Sequence, residues 1–291
     1  IEDPVVILSS VAQRGAKITM EALSLGASDF ILKPSGSISE DIHKVEKQLV
    51  EMLWGYGIEY RRSKGKKPRP EKEPEGTAEL RRPSPAEERR ERPAAGAAVQ
   101  KKLEIKTAES PVSRSEAGAL EIVAIGISTG GPNALRAMFA DLAPDFPLPV
   151  VVVQHMPAGF TGEFARSLDR ICPLEVKEAS DGDVLKPGRV LICPGNYHIE
   201  VERRRLAGVI RLNQDGLVNG HRPSADVLFS SVAKHYGGRA LAVIMTGMGR
   251  DGAKEIGGIH RKGGITLAQD QASSIVYGMP KVAAEMGHIQ K

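Results

Sequence analysis

Three short, nearly unbroken apolar runs, residues 121–127, 150–154 and 241–246, constrain this chain more than any other feature. Each is rich in Val, Ile, Leu or Ala and does not alternate with polar side chains, the pattern of parallel strands covered on both faces. Residues 132–142, 160–168 and 224–235 carry apolar side chains at helical spacing between and before these runs. Strands separated by helices predict an α/β fold, a doubly wound parallel sheet, over residues 118–291. Between residues 174 and 213, shorter alternating segments broken by Asp181-Gly182, Pro187-Gly188 and Pro194-Gly195-Asn196 predict added β hairpins.

Residues 1–56 show the same alternation in miniature. A strand is expected over 4–8, a helix over 16–27, a strand over 30–32, and a helix from Ser39 whose apolar positions are Ile42, Val45, Leu49, Leu53 and Trp54. Two strands leave an exposed sheet edge, so this segment is too small to be a stable doubly wound domain alone. Between the two parts the composition changes. Residues 61–102 hold 14 Lys/Arg, 7 Asp/Glu and 6 Pro, with Leu80 and Val99 as the large apolar residues. Such a stretch buries too little apolar surface to offset its ordering entropy, so residues 57–117 are expected to form a disordered or extended linker, with residual helix near 85–92.

The net charge of +4 belongs to that linker, because the rest of the chain carries 26 basic and 29 acidic residues. A nucleic-acid partner is therefore not expected. No apolar run approaches the ~20 residues that cross a bilayer and no signal segment opens the sequence, so the expectation is a cytoplasmic protein without membrane insertion. Cys172 and Cys193, each followed by Pro, match neither a redox pair nor a zinc cluster and are read as buried free thiols. The first residue is Ile1, not Met, which suggests a truncated start.

In open parallel sheets, ligands sit at the carboxyl ends of the strands. Ser128 follows the first apolar run, His155 the second, and Asp251 lies shortly after the third. These are the parts of a hydrolytic triad: imidazole takes the serine proton, and the carboxylate orients the imidazole and stabilises its cation. The order Ser, His, Asp differs from that of the α/β-hydrolases. Ser128-Thr129-Gly130-Gly131-Pro132 permits a tight strand-to-helix turn with Pro early in the helix. Taken singly, each feature has a plainer reading: a phosphate-cradling loop for the glycines, a structural histidine for His155, a helix N-cap for Asp251.

Two resemblances extend this reading. Residues 5–9, Gly26-Ala27-Ser28-Asp29-Phe30 and Lys33-Pro34 resemble the C-terminal half of a two-component receiver domain, which implies Ser9 as the switch hydroxyl and Lys33 as the phosphoryl-contacting lysine. The acidic pair and phospho-acceptor Asp of that family have no counterpart here. Residues 1–56 are accordingly expected not to fold as a receiver, to dock weakly or not at all, and to leave the chain active without a phosphodonor. Downstream, Ile125-Gly126-Ile127-Ser128-Thr129-Gly130-Gly131-Pro132, Gln154-His155-Met156-Pro157, His221-Arg222-Pro223-Ser224 and Thr246-Gly247-Met248-Gly249-Arg250-Asp251-Gly252 resemble, in unbroken order, the chemotaxis protein-glutamate methylesterases of the CheB family.

That second resemblance implies Ser128 as nucleophile, His155 as base, Asp251 as its orienting acid, and the backbone amides of Thr129 and Met248 as oxyanion donors, with the Thr129 hydroxyl as a contact for His155. It implies γ-methyl glutamate esters on chemotaxis receptors as substrates, glutamine deamidation by the same chemistry, a chemotaxis histidine kinase as partner of a complete receiver, and no metal or organic cofactor. His198 is read as structural at the cleft rim. His221 and Arg222 are read either as contacts for an acidic substrate surface or as supports for the following helix. Two rivals stand beside the esterase, a phosphate- or nucleotide-binding α/β module and a non-catalytic response regulator.

Overall fold

A computed structural model describes residues 3–9, 13–33, 42–65 and 119–291. The apolar runs form the centre of a six-stranded parallel sheet. Its strands are β3 (Ile122–Ile127), β4 (Val150–Gln154), β5 (Glu175–Glu178), β6 (Arg189–Ile192), β9 (Ala240–Ile244) and β10 (Ile265–Ala268), in the order β10-β9-β3-β4-β6-β5. Every residue of β3 and β4 is buried. Side chains alternate between two cores, as a period of two requires. Ile122, Ala124, Val151 and Val153 face one layer, which contains α5 (Ala225–His235), α6 (Ile256–Arg261) and α7 (Met279–Glu285). Val123, Ile125, Ile127, Val150 and Val152 face the other, which contains α3 (Gly131–Ala140) and α4 (Thr161–Asp169).

From β3 the chain first builds the sheet outward through β4 and then returns to the other side of β3 with β9. The strand order therefore reverses beside β3, and a crevice opens at the carboxyl ends. Gly126 is required there. A Cβ on it would stand 2.7 Å from the Ala225 Cβ, so its missing side chain lets the start of α5 press onto β3.

The hairpin expectation for residues 174–213 holds only in part. β7 (His198–Arg203) and β8 (Gly208–Asn213) form an antiparallel hairpin, but β5 and β6 pair in parallel and extend the main sheet. Their buried residues Val176, Val190, Leu191 and Ile192 complete the two cores, a tertiary demand that a short alternating segment does not reveal.

The N-terminal segment forms the four elements expected of it and departs from expectation in how they pack. β1 (Val6–Ser9), α1 (Gln13–Ser24), β2 (Asp29–Leu32) and α2 (Ile42–Ser63) are formed, with β1 and β2 parallel. Docking is not absent: Ala16, Met20, Leu23, Ala27 and Phe30 join the core that contains β3 and β4. The Phe30 ring stacks on Phe160 with centroids 5.1 Å apart. The segment that cannot close a core alone borrows one, burying its apolar face against the larger body. α2 also runs past residue 56 into the stretch expected as linker, while the helix expected near 85–92 lies outside the described residues.

Candidate active site

Strand pairing brings the predicted residues to one edge. The Ser128 amide donates to the Thr246 carbonyl (2.9 Å) and the His155 amide to the Ile127 carbonyl (3.0 Å), so the ends of β3, β4 and β9 are tied together. Below them the Gln154 side-chain amide donates to both the Ser128 carbonyl (2.9 Å) and the His155 carbonyl (3.2 Å). Nothing in the sequence singled out Gln154. Its position as the last residue of a buried strand, where a polar side chain needs partners, is the signal available in retrospect.

His155 Nε2 lies 2.8 Å from Asp251 Oδ2, with both side chains nearly buried. Asp251 also accepts from the Ala225 amide (2.6 Å), the Ser224 hydroxyl (2.6 Å) and the Asn219 side-chain amide (2.8 Å). It therefore does sit at a helix N-terminus, but at that of α5 and not at the helix that follows it in sequence. Burial alone would push its carboxyl up; the His155 bond and charge, with the Ser224 and Asn219 donors, outweigh burial and hold it well below the usual carboxylate range. The other His155 nitrogen, Nδ1, is buried without a hydrogen-bond partner among the described residues. In the neutral tautomer that donates Nε2–H to Asp251, Nδ1 carries the free lone pair.

Ser128, Thr129, Gln154, His155, His221 and Met248 line one cleft of about 490 Å³. Ser128 makes no hydrogen bond to His155, and the Thr129 hydroxyl makes none either; bonds of this kind commonly close only around substrate. The His221 ring stacks on His155 with centroids 3.9 Å apart and planes 13° from parallel. Burial, reinforced by His155 and opposed by Asp251, pulls the His221 pKa down to about 4, so the stacked partner is neutral at ordinary pH. Arg222 instead ties the loop to the Asn196 side chain and to the Gln214 and Asp215 carbonyls (2.7–2.8 Å). Of the two readings offered for these residues, contact with an acidic substrate surface or support for the following helix, the Arg222 bonds match neither: its partners lie in other loops and not on α5.

The docked segment contributes Asp29, Phe30, Ile31, Leu32, Val45 and Met52 to the lining of the cleft. Asp29 Oδ2 accepts from the Gly130 amide at 2.7 Å, at the turn that carries Ser128 and Thr129. Burial lifts the Asp29 carboxyl to about 6 despite donors from Gly130, Phe30 and Tyr56. Ser9 is buried with its hydroxyl 2.6 Å from that of Thr19, whereas Lys33 is exposed; they are joined through the Lys33 amide and the Ser9 carbonyl (2.7 Å). Both stand at the carboxyl ends of β1 and β2, away from the three strand-end residues in sequence and in role.

His198 is buried and bonded to the Gly216 carbonyl, a structural histidine. Both cysteines are buried and free. Among the described residues no cluster of His, Cys, Asp and Glu could hold a metal ion, and no helix is long and apolar enough to cross a membrane.

Residues 123–291 match the family model described as CheB methylesterase. A protein-glutamate methylesterase/protein-glutamine glutaminase of Treponema denticola is 51% identical across 100% of this chain and 75% of that protein. One of Treponema pallidum is 48% identical across 99% and 75% respectively. Among solved structures, the catalytic domain of the Thermotoga maritima CheB methylesterase is similar with a TM-score of 0.58 and 40% identity, covering 60% of this chain and 92% of that one.

Proposed function

The chain belongs to the CheB methylesterase family, and on that footing we propose that it hydrolyses γ-methyl esters of glutamate side chains in proteins with Ser128, His155 and Asp251 as its catalytic triad. The observation that carries the assignment is the buried His155–Asp251 pair, 2.8 Å apart, beside Ser128 in one cleft, with the second imidazole nitrogen unengaged. Ser128 Oγ attacks the ester carbonyl as His155 takes its proton. The anionic oxygen is received by the amides of Thr129 and Met248, donors worth roughly 3 kcal/mol each in such sites. His155 then protonates the departing methanol. Water, deprotonated by the same imidazole, splits the acyl-enzyme and leaves a free carboxylate. A glutamine side chain enters the same cycle with ammonia as leaving group.

Family membership supports chemotaxis receptors as the protein substrate, and hence a cytoplasmic enzyme working on their cytoplasmic helices. The receiver-like strand ends with Ser9 and Lys33 support a chemotaxis histidine kinase as the partner of a complete receiver. The anion-cradle rival is disfavoured because the Gly130 amide is already taken by Asp29, and because it gives the His155–Asp251 pair no task. The test is methanol release from methylated receptor. Ser128→Ala and His155→Ala each abolish it, and a fluorophosphonate labels the native chain but not Ser128→Ala. Near-native turnover by Ser128→Ala refutes the assignment.

A further inference from the structure

One two-residue turn, outside the parallel sheet, touches both members of the acid–base pair. Val218 and His221 exchange backbone hydrogen bonds (3.1 and 2.9 Å) around Asn219 and Gly220, which have φ values of 52° and 81°. Two successive positive φ angles define the tightest hairpin turn, for which Asn-Gly is the favoured sequence. The Asn219 side-chain nitrogen carries two hydrogens and both are used: one goes to Asp251 Oδ1 (2.8 Å), the other to Asp226 Oδ2 (2.7 Å) in the first turn of α5. Burial, with a smaller contribution from Asp251, pushes the Asp226 carboxyl up; two carboxylates on one donor would otherwise repel each other, and the shared Asn219 amide holds them at a fixed spacing. Two residues later the His221 ring covers one face of His155. The turn is anchored from behind by Arg222 through Asn196, Gln214 and Asp215.

We propose that the Asn219-Gly220 turn is a positioning element for catalysis: Asn219 fixes the rotation of the Asp251 carboxylate, and His221 fixes the plane of the His155 ring. An imidazole has two ways to lose its aim, by tilting out of plane and by following a swinging carboxylate, and this turn blocks both. The inference rests on the triad reading above. It predicts effects on the chemical step and not on substrate binding, since neither side chain is required to touch the reacting ester.

The experiment measures kcat and KM for methylated receptor, with thermal melting, on four variants of the full chain. Asn219→Gly keeps the left-handed turn and deletes the donors; kcat is expected to fall about tenfold with KM within about twofold. Asn219→Asp replaces the shared donor with a third carboxylate and is expected to lose more. His221→Ala exposes the His155 face and is expected to cost about tenfold in kcat, whereas His221→Phe restores a flat neutral ring and recovers kcat to within about threefold of native. The His221 pair leaves the turn backbone untouched, so it decides the matter if an Asn219 variant melts early. The proposal is overturned if folded Asn219→Gly and His221→Ala both retain kcat within about twofold, or if the loss appears in KM alone, which would make the turn a substrate contact. If Ser128→Ala keeps its activity, the triad reading fails; if it is inactive while these variants are native-like, only this inference fails.

Discussion

Two buried groups beside His155 have their protonation fixed by surroundings. Asp251 is held ionised by His155, Ser224 and Asn219, and burial keeps His221 neutral down to about pH 4. Neither changes charge between pH 5 and 8. Neither is therefore expected to contribute an inflection to the kcat/KM profile over that range, and His221→Phe should leave the shape of the profile unchanged; an altered slope would show that His221 titrates there. Asp251→Asn keeps the shape but reverses what the side chain asks of the imidazole, and kcat is expected to fall about 10³–10⁴-fold, not to zero. Asp29 titrates in the opposite sense. Its carboxyl takes up a proton near pH 6 when packed, against 3.8 for the free group, so packing of the N-terminal segment is strongest at low pH and weakens as pH rises through that interval, with no further change above it. Amide exchange across β2, corrected for intrinsic rates, should show more protection at pH 4.5 than at pH 7.5, and Asp29→Asn should flatten the difference.

Individual elements were legible where burial is complete. β3 and β4 read directly because both faces are covered and, Gln154 at the end of β4 apart, their side chains are apolar; the helices flanking them follow from apolar spacing. β5 and β6 did not: β5 is the edge strand and β6, its inner neighbour, is only four residues long, and both keep polar residues such as Glu175 and Arg189 and look like hairpin arms. The seat of α5 on β3 joins element to site, since α5 begins with the Ser224 and Ala225 donors to Asp251. Gly126→Val adds atoms where a Cβ alone is already 2.7 Å from Ala225. The expected cost is about 2–3 kcal/mol with a visible drop in Tm, and a larger fractional loss of kcat than of stability-matched variants elsewhere in the core. An unchanged melting curve would mean that α5 can lift without consequence.

Across the whole molecule, the N-terminal segment is a wall of the catalytic cleft as well as a neighbour of its core. Phe30, Ile31, Leu32, Val45 and Met52 line the same cleft as Ser128 and His155. A receptor helix is far bulkier than the cleft, while a small methyl ester fits within about 490 Å³. Residues 119–291 alone are expected to hydrolyse methylated receptor several-fold faster than the full chain, with little difference on a small ester. Equal rates on the receptor would show that the segment moves aside at no cost. The packing reverses the expectation of weak docking, which followed from counting strands in residues 1–56 without the surface they pack against.

By itself the sequence determined the central parallel strands, the helices between them, and the three residues at the strand ends, because burial on two faces and the strand-to-helix turn each demand particular side chains at particular positions. Asn219 and Gln154 are ordinary polar residues in sequence, and His221 was legible there only as a candidate with two readings; their partners lie one to dozens of residues away, and only the closing of β3, β4, β9 and the Val218–His221 turn into one crevice gives them their contacts. The docking of residues 3–9, 13–33 and 42–65 was likewise decided in three dimensions. An amphipathic face records that something covers it, and its partner is chosen by the surface the rest of the fold presents.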